Sequence, residues 1–172
     1  MHEIETARLR LRQFTPADLT DLSSIVADPD VMKYLGRVPG PLSAAEAAAF
    51  LDSVIAHWTR HGFGRWAVVE KAGGRLIGCA GFRLHDGAAE LNYLLDKSFW
   101  NAGLGTEVAE ACLRHGFARH GFDSIVAFAR PENVASRRVL EKVGVRCAGE
   151  SVVYGVGVVR YEITRDEFGR SR

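Results

Sequence analysis

The segment of this chain richest in chemistry is Leu94-Leu95-Asp96-Lys97-Ser98-Phe99-Trp100-Asn101-Ala102-Gly103-Leu104-Gly105-Thr106-Glu107, a strand-like run that turns through glycines into a helical pattern. The first turn of a helix leaves main-chain N–H groups without partners and carries about half a positive charge, while glycine lets the backbone approach an anion closely. A pyrophosphate suits such a place. Gly103 and Gly105 alone do not separate a phosphate cradle from an ordinary turn before a helix. The turn lacks the Gly-Lys-Ser/Thr ending of a nucleoside triphosphate loop, and hairpins precede it where a dinucleotide fold needs parallel βαβ units. The pattern therefore points to a phosphorylated ligand other than ATP or NAD.

Two other residue types invite a chemical reading. Cys79, Cys112 and Cys147 are odd in number, far apart and set in apolar surroundings, which fits reduced core thiols in a cytoplasmic protein and not a disulfide framework. His57 and His61 are spaced to share one face of a helix, but no third ligand is identifiable near them, so no metal is expected.

The elements that must position these residues follow from periodicity. Residues 8–12 alternate Arg and Leu as a half-buried strand does, with the arginines as its wet face. Thr15-Pro16-Ala17-Asp18 opens a helix carrying Leu19, Leu22 and Val26, and Asp28-Pro29 stops it. Ser43-Ala44-Ala45-Glu46 is a capping box, and the apolar stripe Ala47, Phe50, Leu51, Val54, Ile55 and Trp58 carries that helix to about His61. Three strands near 65–70, 75–84 and 88–96, separated by Gly73-Gly74 and Asp86-Gly87, read as an antiparallel meander. A helix runs from Gly103 to about His120, and the apolar run 124–129 reads as a central strand. Pro131 opens another helix that ends at Gly144, and strands near 145–153 and 156–164 follow, joined by a short connection at 153–156 that leaves an open cleft.

With 172 residues, 47% hydrophobic and 25% charged, the chain suits one core, and no linker or repeat divides it, so 1–172 is read as a single domain. A formal net charge of +1 gives no broad reason to bind nucleic acid or an anionic membrane. The opening residues Met1 to Glu5 lack the basic and apolar regions of a signal peptide, and no apolar run approaches the ~20 residues that span a bilayer, so a cytoplasmic location is expected.

Four stretches together resemble the GNAT acetyltransferase superfamily, in its RimJ/RimL-like branch. They are 6–12 with 28–36, Glu90-Leu91-Asn92-Tyr93-Leu94-Leu95, the turn from Trp100 to Glu107, and Asn133-Val134-Ala135-Ser136-Arg137-Arg138-Val139-Leu140-Glu141-Lys142-Val143-Gly144. The resemblance implies an α/β fold of the α+β type: a mixed, mostly antiparallel, splayed sheet flanked by about four helices. It implies an N-acetyltransferase that moves acetyl from acetyl-CoA to a primary amine, on a protein N-terminus or a small molecule, by direct attack in a ternary complex without metal. A noncatalytic acyl-CoA-binding sensor module, and a transferase using another acyl-CoA such as succinyl-CoA, are the alternatives. Acetyl-CoA and an amine acceptor are the implied partners, nucleic acid and membrane are not, and a homodimer is left open.

The same resemblance distributes roles. Leu94 and Leu95 meet the pantetheine arm and supply a main-chain donor for the oxyanion. Trp100, Asn101, Ala102, Gly103, Leu104, Gly105 and Thr106 form the phosphate turn, with Trp100 standing where the superfamily usually has Gln or Arg, so that the backbone alone does the holding. Asn133 bonds the pantetheine, Arg137 or Arg138 reaches a nucleotide phosphate or is simply solvated, and Ser136 lies near the sulfur, where it protonates the departing thiolate or only binds. An amine of pKa about 8 to 10.4 must lose a proton before it attacks. Glu90 is the first candidate base, with Asn92 on the same strand face, and Glu150 is the second. Ala148 stands where relatives often carry Glu, which leaves the identity of the base open between them, and Val145 replaces a common Phe. The loop 36–42 and the last hairpin would choose the acceptor.

Overall fold

The computed structural model describes residues 3–36 and 40–170. Leu9 and Leu11, the apolar half of the Arg-Leu alternation, are fully buried on β2 (Leu9–Arg12), which pairs with a short β1 (Ile4–Glu5). A tight turn at Pro16–Asp18 leads into α1 (Leu19–Val26), which buries Leu22, Ile25 and Val26. Asp28-Pro29 follows the end of α1 and, beyond the expected stop, opens a further helix, α2 (Pro29–Met32). There the Asp28 carboxylate accepts from the Asp30 N–H at 2.8 Å, and proline lacks the N–H that would want a partner.

The Ser43–Glu46 capping box starts α3 (Ala44–His61), and Gly62, at φ 71°, ends it in the left-handed region. The meander follows as β3 (Arg65–Glu70), β4 (Leu76–His85) and β5 (Ala88–Leu95). Next, α4 (Leu104–His115) continues through a wide turn to His120. The remaining elements are β6 (Ser124–Ala129), α5 (Val134–Lys142), β7 (Arg146–Val153), β8 (Val156–Thr164) and α6 (Arg165–Arg170). α5 starts later than Pro131 because the Asn133 carboxamide takes the capping position, accepting from the Ser136 N–H at 3.2 Å. β1 and α6, of two and six residues, are too short to leave a periodic signature.

All eight strands join one sheet in the order β1-β2-β3-β4-β5-β6-β8-β7. Only β5 and β6 run parallel, so the sheet is mixed and mostly antiparallel, as the resemblance implies. Trp66, Ala67, Val68 and Val69 of β3 are buried in succession, the mark of a strand covered on both faces, and the apolar β6 likewise lies inside the sheet. α4 and α5 cover one face: Tyr93 reaches Ser136, and Phe82 lies against Gly116, where a Cβ would come within 2.8 Å of it. α3 lies toward the other face, where the Arg65 guanidinium stacks on Phe50 at 4.6 Å.

Two expectations need correction. Arg8 and Arg12 are not simply a wet face: the Arg12 guanidinium donates to both oxygens of buried Asp18 at 2.9 and 2.7 Å, and Arg8 clamps α4, as described below. Cys79 and Cys112 are core thiols, but Cys147 is exposed, because β7 is the outermost strand and has one neighbour only.

Burial alone would raise the Asp18 pKa, but the Arg12 guanidinium and the Thr15 N–H bring the net value below the ordinary carboxylate range. A depressed folded pKa contributes stability that is present above the unfolded value of about 3.9 and is lost as pH falls through the folded value. Asp18→Asn should therefore cost about 3 kcal/mol at pH 7 in a urea titration, and the difference from wild type should shrink steadily below pH ~4.

Candidate functional site

β5 is paired to β4 along its whole length, from His85↔Ala88 to Gly78↔Leu95, but to β6 only at Ala89↔Ile125 and Glu90↔Val126. Beyond Glu90 the two parallel strands part and leave a wedge. The Asp96 N–H donates to the Ile77 carbonyl, which makes Cys79–Leu94 and Gly81–Asn92 the hydrogen-bonded pairs of the β4–β5 ladder. The Leu91 carbonyl and the main-chain groups of Tyr93 and Leu95 are thus turned into the wedge, while those of Leu94 are engaged with β4. One of the exposed acceptors is met: the Trp100 indole N–H donates to the Leu95 carbonyl at 2.8 Å, which ties the phosphate turn back to the strand.

At the mouth of this wedge the turn enters α4. Asn101 (φ 60°) and Gly103 (φ 77°) are both left-handed, and Gly103 is an N-cap without a side-chain partner. The first hydrogen bond of the helix runs from the Glu107 N–H to the Gly103 carbonyl, so the N–H groups of Leu104, Gly105 and Thr106 have no acceptor among the described residues. At Gly105 a Cβ would stand 3.5 Å from Val139 of α5, which shows how closely the two helices approach beside the turn.

A clamp that periodicity alone did not reveal holds the turn. Arg8 donates to the Ala102 carbonyl at 2.7 Å and to Glu107 Oε2 at 2.7 Å, while the Thr6 hydroxyl and the Arg8 N–H donate to Glu107 Oε1 at 2.6 and 2.9 Å. Burial works to raise the Glu107 pKa, but these donors outweigh it and hold the carboxylate below its ordinary range. A negative charge in the first turn, next to these unpartnered main-chain donors, is thereby neutralised from 99 residues away in sequence.

α5 contributes the second wall. Ser136 Oγ lies 3.2 Å from the Tyr93 hydroxyl, which reaches it from β5, and the Asn133 carboxamide oxygen caps the same turn. Burial pushes the Tyr93 phenol up to about 12, with the Ser136 hydrogen bond acting in the opposite sense, so the phenol is neutral at physiological pH and is a donor. Arg137 is engaged with the Tyr161 hydroxyl at 3.1 Å and the Pro131 carbonyl at 3.1 Å, whereas Arg138 is exposed.

Glu90 stands at the apex, on the other face of the sheet from Tyr93. It is 4% exposed, and Arg83, directly across the β4–β5 ladder, donates to both its oxygens at 2.9 Å. His85 Nδ1 lies 3.8 Å from Glu90 Oε2, and Tyr154 at the tip of the β7–β8 hairpin lies over Arg83 (5.9 Å) and His85 (6.0 Å). The short hairpin therefore carries a ring over this face and does not leave it open. Asn92 shares the face and bonds the Glu90 carbonyl at 3.4 Å. Glu150 is exposed on β7, with β8 and β6 between it and β5, so it is not brought together with Glu90. Within the loop 36–42, residues 37–39 lie outside the described residues.

His57 and His61 have ring centroids 4.4 Å apart, and among the described residues no group of three or more His, Cys, Asp or Glu gathers as a metal-ligand set. No helix among them is long and apolar enough to cross a membrane.

A strand-to-helix anion turn beside a splayed parallel pair defines a class of acyl-transferring folds, and comparison with known proteins agrees. Residues 8–146 match the acetyltransferase (GNAT) domain family, and the chain belongs to it. It is similar to the uncharacterised N-acetyltransferase YnaD of Bacillus subtilis, with 30% identity over 151 residues that cover 87% of this chain and 85% of that protein. Among solved structures, a GNAT-family acetyltransferase from Bacillus anthracis superposes with a TM-score of 0.84 at 26% identity, covering 95% of this chain and 99% of that one. RimL, a ribosomal L7/L12 alpha-N-protein acetyltransferase solved with coenzyme A, shares the fold with a TM-score of 0.80 at 20% identity, covering 96% and 99%. The chain is thus an acetyltransferase of this family.

The raised Tyr93 pKa has a measurable consequence. An acid whose folded pKa lies above its unfolded value of about 10 lowers stability as pH rises from 10 towards 12. Urea midpoints over that window should fall less steeply for Tyr93→Phe than for wild type.

Proposed function

We propose that the protein acetylates a primary amine, with acetyl-CoA bound in the wedge. Its diphosphate would lie on the N–H groups of Leu104, Gly105 and Thr106, and its acyl end between β5 and β6. The observation that carries this reading is the row of unpartnered main-chain donors at the mouth of a gap whose inner edge also presents unpaired main-chain groups. Acetyl-CoA supplies an acyl group activated on sulfur; the chain supplies position and proton transfer.

The Asn133 carboxamide nitrogen and the wedge-facing groups of Tyr93 and Leu95 orient the pantetheine arm, and the Tyr93 N–H is a donor for charge developing on the acyl oxygen. Glu90, held by Arg83 at the apex, takes the proton of the incoming ammonium directly or through water. On the opposite face Ser136, backed by the neutral Tyr93 phenol, gives a proton to the departing sulfur. Base and acid thus stand on opposite sides of the sheet, one toward the amine and one toward the coenzyme. Burial holds the Cys79 thiol up at about 11 and raises Cys112 likewise, so neither is a thiolate nucleophile at neutral pH, which favours direct attack.

Thiol release from acetyl-CoA, followed with a panel of peptides and small amines, tests the reading. Glu90→Gln should lower kcat by about 10²- to 10⁴-fold with coenzyme affinity retained. Tight coenzyme binding without thiol release, indifferent to that substitution, would instead favour a sensor module.

The Arg8–Glu107 clamp gives a separate expectation. Arg8→Ala leaves an unneutralised carboxylate beside the diphosphate and should raise the Kd for coenzyme A about tenfold, and adding Glu107→Gln should recover much of that loss. Equal coenzyme affinity in all three proteins, measured by calorimetry, would remove the clamp from the binding site.

A further inference from the structure

A cavity of about 360 Å³ opens between the C-terminal half of α3 and the ends of β3 and β4, with His57, Arg60, His61, Arg65 and Arg83 in its wall. None of the described residues lining it is acidic. Arg83 has its counterion, since both its donating nitrogens lie on Glu90. Arg65 has no direct partner: its guanidinium stacks on the Phe50 ring and makes no hydrogen bond or ion pair with a described residue, and Glu90 acts on it only from a distance. The His57 Nε2 is buried without a hydrogen-bond partner, and its ring packs against His61. Burial, more than any neighbouring charge, lowers the pKa of Arg65; Arg83 adds to the effect, and Cys79 and Glu90 oppose it without reversing it. Burial lowers His57 too, with His61, Arg65 and Arg60 all acting in the same sense. The groups facing this space are thus cations or would-be cations crowded together, and a poorly solvated, unpaired guanidinium is costly until an anion meets it.

The register connects this cavity to the reaction site. Arg65 pairs with Gly81, Gly81 with Asn92, and Arg83 with Glu90, so Arg65, Arg83, Glu90 and Asn92 all project from one face of the sheet. Arg83 is at once a wall of the cavity and the residue that holds Glu90. Arg65 and Glu90 stand two strands and two residues apart, roughly 12 Å between Cα atoms by ordinary strand geometry. A simple alkyl ammonium entering here meets three guanidinium groups. A molecule with an anion at one end and its amine at the other meets a counterion at each.

We propose that this cavity selects the acceptor: an amine that also carries a carboxylate several bonds away, which docks on Arg65 while the amine lies beside Glu90. The planar guanidinium accommodates a carboxylate through two parallel hydrogen bonds, and Arg60 with His57 and His61 adds to the positive field. This rests on the acetyl-transfer reading for the amine end, whereas the carboxylate end is a binding site in its own right.

The experiment separates the two. Glutarate, which has carboxylates but no amine, should bind the protein in the absence of any acyl donor, and Arg65→Met should abolish that binding while Arg65→Lys retains part of it. In the transfer assay, kcat/KM for 5-aminopentanoate should exceed that for pentylamine by about tenfold or more, and Arg65→Met should collapse this ratio towards one. Arg60→Ala, a change on the helix surface, should reduce the ratio to a smaller extent. Glutarate binding that depends on Arg65 supports the site even where neither amine is acetylated, a result that would sink the acetyl-transfer reading alone. No glutarate binding, a ratio of one in wild type, or tighter binding of inorganic phosphate than of glutarate overturns the proposal.

Discussion

The early parting of β5 from β6 governs the chemistry of this protein. A strand edge cannot carry unpaired N–H and C=O groups out of contact with water or a partner without a cost comparable to lost hydrogen bonds. Here the edge stays open because each strand is bound more extensively to its outer neighbour: β5 along eight residues of β4, β6 along six of β8, against two pairs between them. One exposed carbonyl is met by the Trp100 indole, and the others face a gap. A long, flexible, amide-bearing ligand is the kind of molecule that completes such an edge.

Charge is used locally. With a net charge of +1 the chain has no broad field, yet an uncapped helix start lies at one end of the wedge and a cluster of cationic side chains beside the other. The start of α4 presents main-chain donors, and the carboxylate in its first turn, Glu107, is neutralised by Arg8. At the apex the sign is reversed, because Glu90 is a buried carboxylate whose position is set by Arg83. The sheet places Glu90 on one face and the Tyr93–Ser136 pair on the other.

Much of the fold was legible from periodicity. The strands of the meander, the long helices and the order of elements followed from alternation, capping boxes and glycine turns, since those signals act within a few residues of one another. The elements not read, β1, α2 and α6, are too short for a period to show, and Asp28-Pro29 reads equally as an end and a beginning because one carboxylate and one proline serve both. The phosphate turn was legible for the same reason as the helices: its glycines and its helix start are local. Arg8, Arg83, Tyr154 and the Tyr93–Ser136 pair were not assigned roles, because an arginine or tyrosine on a strand carries no mark of what it will face.

By itself, then, the sequence determined the elements, their order, the anion turn and the family to which they belong, all of which depend on neighbours along the chain. Tertiary structure alone decided that β5 and β6 separate after Glu90, that Glu90 meets Arg83 while Glu150 lies strands away, and that Arg65 has no direct ion-pair partner among the described residues. Those outcomes depend on which strands become neighbours and on which face each side chain emerges, and a register is set by the packing of the whole sheet, not by any one segment.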